Sequence, residues 1–260
     1  MIQEIQNALL ALREKKPLVL CLTNSVSVEF VANSLLALGA APIMSHEPRE
    51  AEELVRIGSS VYINLGTLDT PFIEHCKHVA AFAEKEERPV ILDPVGAGAS
   101  QVRTDSAKAF LPQAAIVRGN ASEIMALSGS QGKTLGVEST EKVHSAKDAA
   151  RALAKTYGCT TAISGEEDFV TNGNMENAFS FGSPLMPTIT GMGCSLTGVI
   201  AAFHAVLPDP YEAARLGAAY FGLCGNIAHE KAKAPGSFKV AFIDALYQAD
   251  FSSMEKYHEV

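Results

Sequence analysis

The stretch PLVLCLTNSVSVEFVANSLLALGAAPIMS, residues 17–45, contains the pattern that decides the fold class. Its two ends are short apolar runs, PLVLCLT at 17–23 and AAPIMS at 40–45. Between them, from Val28 to Leu38, apolar residues recur at helical spacing. Strands that are apolar throughout, and do not alternate with polar residues, are typical of a parallel sheet covered on both faces. The stretch therefore predicts a strand–helix–strand unit.

The same alternation continues along the chain. Further strands are predicted at 60–66, 89–95, 114–120 and 159–165, and helices at 49–57, 71–85, 121–127 and 146–157. FVTNGNMENAFS, at 169–180, predicts a hairpin because Asn-Gly-Asn favours a tight turn. The residues after Gly193 are mostly helical. Repeated strand–helix alternation predicts a doubly wound α/β fold. We expect a mostly parallel sheet with helices on both faces, in a single domain spanning 1–260.

Composition restricts the classes of partner. The chain has 260 residues, 47% of them hydrophobic and 19% charged, which is typical of a soluble protein with a sizeable core. A formal net charge of −8 argues against a nucleic-acid surface, and no apolar run reaches the ~18 residues of a membrane span. The scattered cysteines form no CxxC pair, which argues against a disulfide framework or a zinc cage. They are Cys21, Cys76, Cys159, Cys194 and Cys224. We therefore expect a cytoplasmic protein with no nucleic-acid or membrane partner.

Polar and glycine residues follow the predicted strands, at the ends where open α/β sheets bind their ligands. The segments are TN at 23–24, MSHEP at 44–48, NLGT at 64–67, DPVGAGA at 93–99, RGNASE at 118–123 and SGEED at 164–168. The opposite ends of the same strands carry few such residues. This asymmetry predicts a binding site at the carboxyl edge of the sheet.

Two carboxylates at this edge have both a structural and a functional interpretation. Glu123 lies three residues after Asn120, as in a capping box, and Asp93 precedes a proline, as in many turns. Both nevertheless follow neighbouring predicted strands, which would bring them to one crevice. There they would position a hydrated Mg²⁺, an ion that needs only one or two carboxylates, beside a phosphate-facing Arg118.

The stretch TITGMGCSLTG, residues 188–198, places Cys194 in the first turn of a predicted helix. Free N–H groups and the positive end of the helix dipole gather at such a point. We expect the N–H groups of Gly193, Cys194 and Ser195 to bind a transferring phosphate. The dipole would favour the thiolate of Cys194, which would act as a base or hydrogen-bond acceptor for an attacking alcohol. The structural alternative is a glycine-rich packing loop with Cys194 as a small buried side chain.

Other motifs carry less information. GSQGKT at 129–134 and GAGASQ at 96–101 resemble nucleotide-binding motifs but lack required glycines, so neither is predicted to bind a nucleotide. His75 and His78 are expected to be solvated on a polar helix, whereas His46 lies in a crevice loop and could contact a substrate. A thiol enzyme, the alternative class, would need a histidine beside Cys194, and no such partner is evident.

Seven blocks, taken in order, resemble the hydroxyethylthiazole kinases of thiamin salvage. They are CLTNSVSVEFVANSLLALGAAPIM, INLGT, ILDPVGAGA, VRGNASEI, SGEEDFVTNG, PLMPTITGMGCSLTGVIAAF and PGSF. The resemblance covers Pro17 to Tyr247. It implies a ribokinase-like three-layer sandwich and a homotrimer with active sites between subunits. The implied reaction is Mg²⁺- and ATP-dependent phosphorylation of the hydroxyl of 4-methyl-5-(2-hydroxyethyl)thiazole.

Site residues follow from the same resemblance, by matching position. Those implied to contact the thiazole are Met44 and Gly191, with Asn24, Gly66 and Thr67 as further pocket candidates. Those implied to contact ATP are Arg118, Ser164 and Gly193. Asp93 and Glu123 match positions near metal and phosphate, and Cys194 would lie beside the hydroxyl.

Two positions depart from the family pattern. Met192 replaces the threonine of Gly-Thr-Gly-Cys, and Thr188 stands where the family commonly has lysine. The loss of a hydroxyl and a cation near the phosphates would weaken nucleotide binding or slow transfer. Two alternatives therefore stay open. One is a related kinase acting on a hydroxymethylpyrimidine or pyridoxal-type alcohol, and the other is a thiazole- or nucleotide-binding protein without catalysis.

Overall fold

The computed structural model describes residues 1–129 and 139–258. Its centre is an eight-stranded sheet with the strand order β2-β1-β3-β4-β5-β6-β7-β8. The strands are β1 (Leu18–Leu22), β2 (Ala41–Met44), β3 (Ser60–Asn64), β4 (Val90–Asp93), β5 (Ala114–Asn120), β6 (Thr160–Ser164), β7 (Asp168–Thr171) and β8 (Glu176–Phe179). The first six are parallel, and β7 and β8 form an antiparallel hairpin at one edge.

Helices cover both faces of the sheet, which makes three layers. One face carries α1 (Ile2–Lys15), α2 (Val28–Leu38), α8 (Met192–His204), α9 (Pro210–Lys231) and α10 (Pro235–Gln248), with α11 (Phe251–His258) packed on α1 and α9. The other face carries α3 (Ala51–Ile57), α4 (Thr70–Lys85), α5 (Gln101–Phe110), α6 (Ala121–Ser128) and α7 (Ser139–Tyr157). Within the described residues, no helix is both apolar enough and long enough to cross a membrane.

Successive side chains of a strand point to opposite faces of the sheet and so pack into two different hydrophobic cores, one on each face. In β1, Val19 and Cys21 pack under α1, α2 and α8, whereas Leu20 and Leu22 pack under the helices of the other face. Because both faces are covered, every position from Val19 to Leu22 is buried. This double coverage is the physical reason why the strands are apolar throughout.

The structure confirms the predicted strands and the 169–180 hairpin. The segment predicted as one helix at 49–57 differs, because it is a 3-10 turn at Pro48–Glu50 followed by α3. Helix α5 was not predicted, since it follows the glycine-rich segment and carries mostly polar residues; Ser100 caps its start. The motif GSQGKT lies outside the described residues except for its first glycine.

The chain order places a switch point at the centre of the predicted crevice. From β1 the chain moves outward to β2 on one side, then returns to β3 on the other. The loops after β1 and β3 therefore separate and leave an opening at the carboxyl edge, the usual place for a ligand in this architecture. Asn24 follows β1 and Asn64 ends β3, so both border this opening.

Candidate active site

Polar side chains from neighbouring strands form a continuous row along the carboxyl edge. Asn24 Nδ2 donates to Asn64 Oδ1 at 2.8 Å, and Asn64 Nδ2 donates to Asp93 Oδ2 at 3.0 Å. Arg118 Nη1 lies 3.7 Å from the same Asp93 oxygen, and Arg118 Nη2 donates to Ser164 Oγ. Asn64 and Asp93 are register partners on adjacent strands. Parallel register thus joins residues that are up to 140 positions apart, since it links Asn24 to Ser164.

Asp93 is the carboxylate of this row, and its pKa is shifted from the ordinary value. It is fully buried, and burial raises its pKa to about 6 against the opposing effect of the Arg118 guanidinium. Its Oδ2 accepts hydrogen bonds from Asn64 and from Thr197 Oγ1, the latter at 2.8 Å. Its Oδ1 is buried and has no hydrogen-bond partner among the described residues. Asp93 therefore has one unused acceptor, buried at the end of β4.

Glu123 forms the capping box that its spacing predicted. Asn120 Oδ1 accepts from Glu123 N at 3.0 Å, and Glu123 Oε2 accepts from Asn120 N at 2.8 Å. The other carboxylate oxygen, Oε1, accepts from Gly96 N at 2.8 Å. The structural interpretation is therefore confirmed, and Glu123 also ties the loop after β4 to α6.

The donor set fits Mg²⁺ at Asp93 better than at Glu123. No cluster of three or more His, Cys, Asp or Glu side chains suited to an ion occurs in residues 1–129 and 139–258. Mg²⁺ does not require one, since it commonly binds one or two carboxylates plus water and substrate phosphates. The unused Oδ1 of Asp93 is such a ligand. Both oxygens of Glu123 already accept a backbone N–H, so Glu123 fits a contact through water.

The start of α8 supplies free N–H groups beside Arg118. Gly191 caps the helix with φ +90°, and Cys194 lies in the first turn, as predicted. Ser195 N donates to Gly191 O at 2.8 Å, so the prediction that Ser195 helps to bind an anion is wrong. The N–H groups of Gly193 and Cys194 precede this first intrahelical bond and point out of the helix. A Cβ on Gly193 would lie 2.6 Å from Arg118 Nη1, so only glycine allows the guanidinium this close to the helix start.

The thiol of Cys194 does not have the electrostatics predicted for it. Burial raises its pKa, Asp93 raises it further, and hydrogen bonds from neighbouring side chains only partly oppose them. The expectation that the helix dipole favours the thiolate is therefore wrong, because desolvation and the Asp93 charge outweigh the dipole. Sγ accepts a hydrogen bond from Asn24 Nδ2 at 3.4 Å. No hydrogen bond or ion pair among the described residues joins Cys194 to a histidine.

A cavity of about 710 Å³ adjoins the start of α8. Its walls include Arg118, Ser164, Gly191 and Gly193, which brings the residues predicted to contact ATP together with one predicted to contact the thiazole. The remaining wall is formed largely by residues 180–189 and by α9. Met192 is buried and lines the cavity as an apolar side chain. The volume lies in the usual range for small-ligand sites.

The other predicted thiazole contacts lie outside this cavity, at the ends of β1, β2 and β3. Met44 ends β2 and is half-buried. Gly66 N donates to Asn64 Oδ1 at 2.9 Å, and Thr67 Oγ1 accepts from Ser25 N at 3.1 Å. The start of α8 thus separates a cavity side, with Arg118, from an opening side, with Asn24 and Cys194.

Several residues of the site were not singled out from the sequence. Asn64 and Asp168 stand in the crevice segments NLGT and SGEED, so position after a strand was the available signal. Asp168 lines the cavity, accepts from Gly165 N at 3.0 Å, and is buried so that its pKa rises to about 7. Tyr62 and Thr197 lie within β3 and α8 and look like core residues in the sequence.

The contribution of Arg103 could not be predicted from the sequence, because the helix that carries it, α5, was not predicted. Its Nη1 donates to Leu65 O at 2.9 Å and Val95 O at 3.0 Å, and Nη2 donates to Gly66 O at 3.0 Å. The guanidinium therefore joins the loops that follow β3 and β4.

Two further predictions have clear outcomes. In the GAGASQ segment, Gly96 N donates to Glu123 and Gly98 N donates to Thr104 Oγ1, so these N–H groups cannot hold a pyrophosphate.

The two histidines of α4 differ in exposure. His78 is exposed, but His75 lies on the buried face of the helix, and this burial lowers the pKa of His75. The prediction of a solvated His75 was wrong because His75 lies on the same face of α4 as Phe72 and Val79.

Comparison with known proteins agrees with this geometry. The sequence model of the hydroxyethylthiazole kinase family matches residues 9–251. A hydroxyethylthiazole kinase of Chlamydia felis (strain Fe/C-56) is 48% identical over 260 residues, covering 99% of each chain. The solved structure of a hydroxyethylthiazole kinase from Pyrococcus horikoshii OT3 superposes with a TM-score of 0.91, at 36% identity, covering 98% of this chain and 97% of that one.

A more distant structure supports the fold alone. A ribokinase-like superfamily protein from Enterococcus faecalis V583 superposes with a TM-score of 0.66 at 18% identity, covering 94% of this chain and 89% of that one. The three-layer sandwich is therefore the ribokinase-like fold. From the match to the family model and the identity over nearly the whole length, the chain belongs to the hydroxyethylthiazole kinase family.

Proposed function

We propose that this protein transfers the γ-phosphoryl group of ATP to the hydroxyl of 4-methyl-5-(2-hydroxyethyl)thiazole. One observation carries the proposal: Arg118 and the start of α8, with its free N–H groups, line one end of a cavity. Asp93 lies directly behind Arg118, with Oδ2 3.7 Å from Nη1, and has one oxygen without a hydrogen-bond partner among the described residues. Phosphoryl transfer needs this combination, because its catalysis consists mainly of positioning and electrostatic stabilisation.

On the cavity side, Arg118, Ser164 and Gly193 are proposed to hold the phosphates of ATP. Arg118 supplies a charged fork of donors, and the N–H groups of Gly193 and Cys194 add donors at the positive end of α8. Asp93, with Glu123 acting through water, would hold Mg²⁺, which neutralises phosphate charge when bound. Asp93 is mostly ionised at pH 7 because its pKa is about 6, so it can act as a cation ligand.

On the opening side, Met44, Gly66 and Thr67 are proposed to contact the thiazole, with Asn24 at the edge of this pocket. Gly191, in the cavity wall at the start of α8, is proposed to contact the thiazole from between the two sides. Cys194 would lie beside the hydroxyl, and its thiolate form would take the alcohol proton late and become the neutral thiol, as the O–P bond forms and ADP leaves. The raised pKa of the thiol agrees with such a modest role. It disagrees with the covalent nucleophile of a thiol enzyme, which requires a stable thiolate.

The two departures from the family pattern are compatible with catalysis. Met192 contributes an apolar wall, while the phosphate-facing groups at this turn are backbone N–H groups that do not depend on the side chain. Thr188 Oγ1 donates to Leu185 O at 2.6 Å, so its hydroxyl serves the local turn. We expect weaker nucleotide binding than with a lysine at 188, and retained turnover.

Assembly and location complete the proposal. The chain is proposed to be a single kinase domain that forms a homotrimer with active sites between subunits. The half-buried edge strand β2 and the exposed Val26, two residues after Asn24, support a subunit contact beside the opening. The five free cysteines support a cytoplasmic location.

The deciding experiment measures ADP release with Mg-ATP and three alcohols: hydroxyethylthiazole, hydroxymethylpyrimidine and pyridoxal. We expect turnover with the thiazole alone. Preference for another alcohol would overturn the substrate and leave the kinase. Binding of ATP and thiazole without ADP release would identify a non-catalytic binding protein. Cys194→Ser should lower kcat more than it raises either KM, because the thiol acts on the reacting hydroxyl.

A further inference from the structure

Asn64 is the centre of the polar row, although it does not face the cavity. Its side chain is fully buried, and every hydrogen-bonding position of its amide is used. Oδ1 accepts from Asn24 Nδ2 at 2.8 Å and from Gly66 N at 2.9 Å. Nδ2 donates to Tyr62 Oη at 2.8 Å and to Asp93 Oδ2 at 3.0 Å. Since Gly66 N can only donate, the orientation of this amide is determined by its surroundings.

Asn24 is equally occupied. Its Oδ1 accepts from Val26 N and Ser27 N, each at 3.0 Å, and its Nδ2 donates to Asn64 Oδ1 at 2.8 Å and to Cys194 Sγ at 3.4 Å. The two backbone donors require the oxygen to face α2, so the NH₂ group must face Asn64 and the thiol. No hydrogen-bonding capacity remains for a substrate, which distinguishes Asn24 from Met44 or Gly191.

A second branch from Asn64 reaches the backbone of the same cysteine. Tyr62 Oη, which accepts from Asn64 Nδ2, donates to Cys194 O at 2.9 Å. Asn64 therefore acts on both ends of Cys194, on the sulfur through Asn24 and on the carbonyl through Tyr62. Because the amides of Asn24 and Asn64 are both fully satisfied and buried, the network holds these two side chains rigidly.

We propose that Asn64 is a positioning residue for the reaction: it holds the Asn24 amide so that one N–H always points at Cys194 Sγ, and Asn24 serves the thiol and not the thiazole. This inference rests on the proposed kinase function. The N–H on sulfur stabilises the thiolate, the form that can accept the alcohol proton and become the neutral thiol, and it leaves the other side of the sulfur for the hydroxyl. Through Asp93 Oδ2, the same amide also sets the distance between the thiol and the phosphate side.

Two variants test the branch to sulfur, and one serves as a control. Asn24→Asp keeps the acceptor for Val26 N and Ser27 N but removes the donor to Sγ. Asn64→Ala removes the support of Asn24 without adding charge. Tyr62→Phe, the matched control, removes two hydrogen bonds of the same buried hub, the one from Asn64 Nδ2 and the one to Cys194 O, and leaves the branch to sulfur intact.

In the kinase assay, Asn24→Asp and Asn64→Ala should each lower kcat about 10- to 100-fold with both KM values within about threefold, in line with the loss of one hydrogen bond to a charged group. The double variant should be slowed by much less than the product of the two single effects, because both changes act partly through the same contact to sulfur. A raised KM for the thiazole with unchanged kcat in Asn24→Asp would overturn the proposal, since it identifies a direct substrate contact.

A second readout needs no substrate. Cys194 is partly exposed and the other four cysteines are buried, so iodoacetamide should alkylate Cys194 in the folded protein, with Cys194→Ser as the blank. Both Asn24→Asp and Asn64→Ala should slow this alkylation about tenfold at pH 8 and shift its pH profile upward, while Tyr62→Phe stays within about threefold.

Alkylation that is unchanged in both asparagine variants overturns the proposal, even if the wild-type protein is an active kinase. Slowed alkylation in a protein that releases no ADP supports the positioning role and refutes the kinase proposal instead. If Asn64→Ala does not fold, which its thermal transition would show, Asn24→Asp against Tyr62→Phe still decides the branch to sulfur.

Discussion

At the scale of single residues, the site contains a carboxylate that opposes folding. Asp93 is fully buried, and its pKa of about 6 exceeds the ordinary value of 3.8 mainly because burial disfavours the charged form. Arg118, at 3.7 Å, and two hydrogen-bond donors reduce this cost but do not remove it. A buried charge that costs stability in this way is typical of functional sites, which agrees with the role proposed for Asp93.

Asp93→Asn should therefore stabilise the protein at high pH. The folded chain binds the proton of Asp93 more tightly than the unfolded chain. Below about pH 4 the side chain is protonated in both states, so its burial does not lower the free energy of unfolding. The cost grows as pH rises through the interval from 3.8 to about 6, and at pH 8 it reaches on the order of 2 to 3 kcal/mol. In EDTA, we expect the variant's Tm to exceed that of the wild type by about 5 °C or more at pH 8.

The difference between the two melting temperatures should shrink toward pH 4.5, where Asp93 is protonated in the folded protein. Phosphoryl transfer should be lost in the variant at every pH. An equal difference at pH 4.5 and pH 8 would show that Asp93 carries no burial cost.

At the scale of elements, the start of α8 and the end of β5 form the part of the site proposed to face the phosphates. Gly193 lies in the first turn of α8 and Arg118 points at it from β5, so close that a Cβ at 193 would lie 2.6 Å from Nη1 and 3.0 Å from Nη2. The helix contributes N–H groups and the strand contributes the guanidinium. Their closeness depends on the missing side chain at 193.

Gly193→Ala should therefore raise the KM for ATP or lower kcat/KM by about 10- to 100-fold, because the displaced guanidinium loses hydrogen bonds to charged oxygens. Gly198→Ala on the same helix is the matched control. Its Cβ would meet Val31 Cγ1 at 3.4 Å and Leu35 Cδ1 at 3.7 Å, which are ordinary contacts. Steady-state kinetics of both variants should separate them; equal effects would show that α8 responds to any added methyl.

At the scale of the whole molecule, the proposed site has two halves on either side of the helix start. The cavity side has walls from β5, β6, α8 and α9 of the same chain. The opening side ends at β2 and at exposed residues such as Val26. A trimer with shared sites would cover this side with a second subunit.

Mixing two variants of reduced activity tests the shared site. If Met44 and Cys194 of one site come from different subunits, every mixed trimer of Met44→Asp and Cys194→Ser chains contains one intact site. Random assortment by co-refolding should then restore about a quarter of wild-type activity. Each variant alone and a wild-type sample refolded in the same way are the controls. No recovery in trimers of confirmed mixed composition would place both residues in the same subunit's site.

Local sequence patterns were sufficient to predict most strands and helices, and to predict that the site lies at the carboxyl edge of the sheet. The apolar runs at 17–23 and 89–95 predict strands because a strand covered on both faces has no polar side. The capping box at Asn120 and the helix start at Gly191 could also be predicted from the sequence, because a helix cap depends only on neighbours within four residues. Identification of the family added the substrate class and the residues at matched positions, which no spacing could supply.

What sequence spacing could not predict depends on contacts between distant strands. Asn64 becomes a hub only because parallel register places it beside Asp93, and Cys194 has a raised pKa only because the sheet and α8 bury it near that charge. A helix dipole is a local property and was predicted correctly, but desolvation is a property of the packed molecule and outweighs it. The amino-acid sequence by itself therefore determines the strands, the helix caps and the position of the crevice. The pKa values of Asp93 and Cys194, and the hydrogen-bond partners of the buried asparagine amides, are decided by tertiary packing.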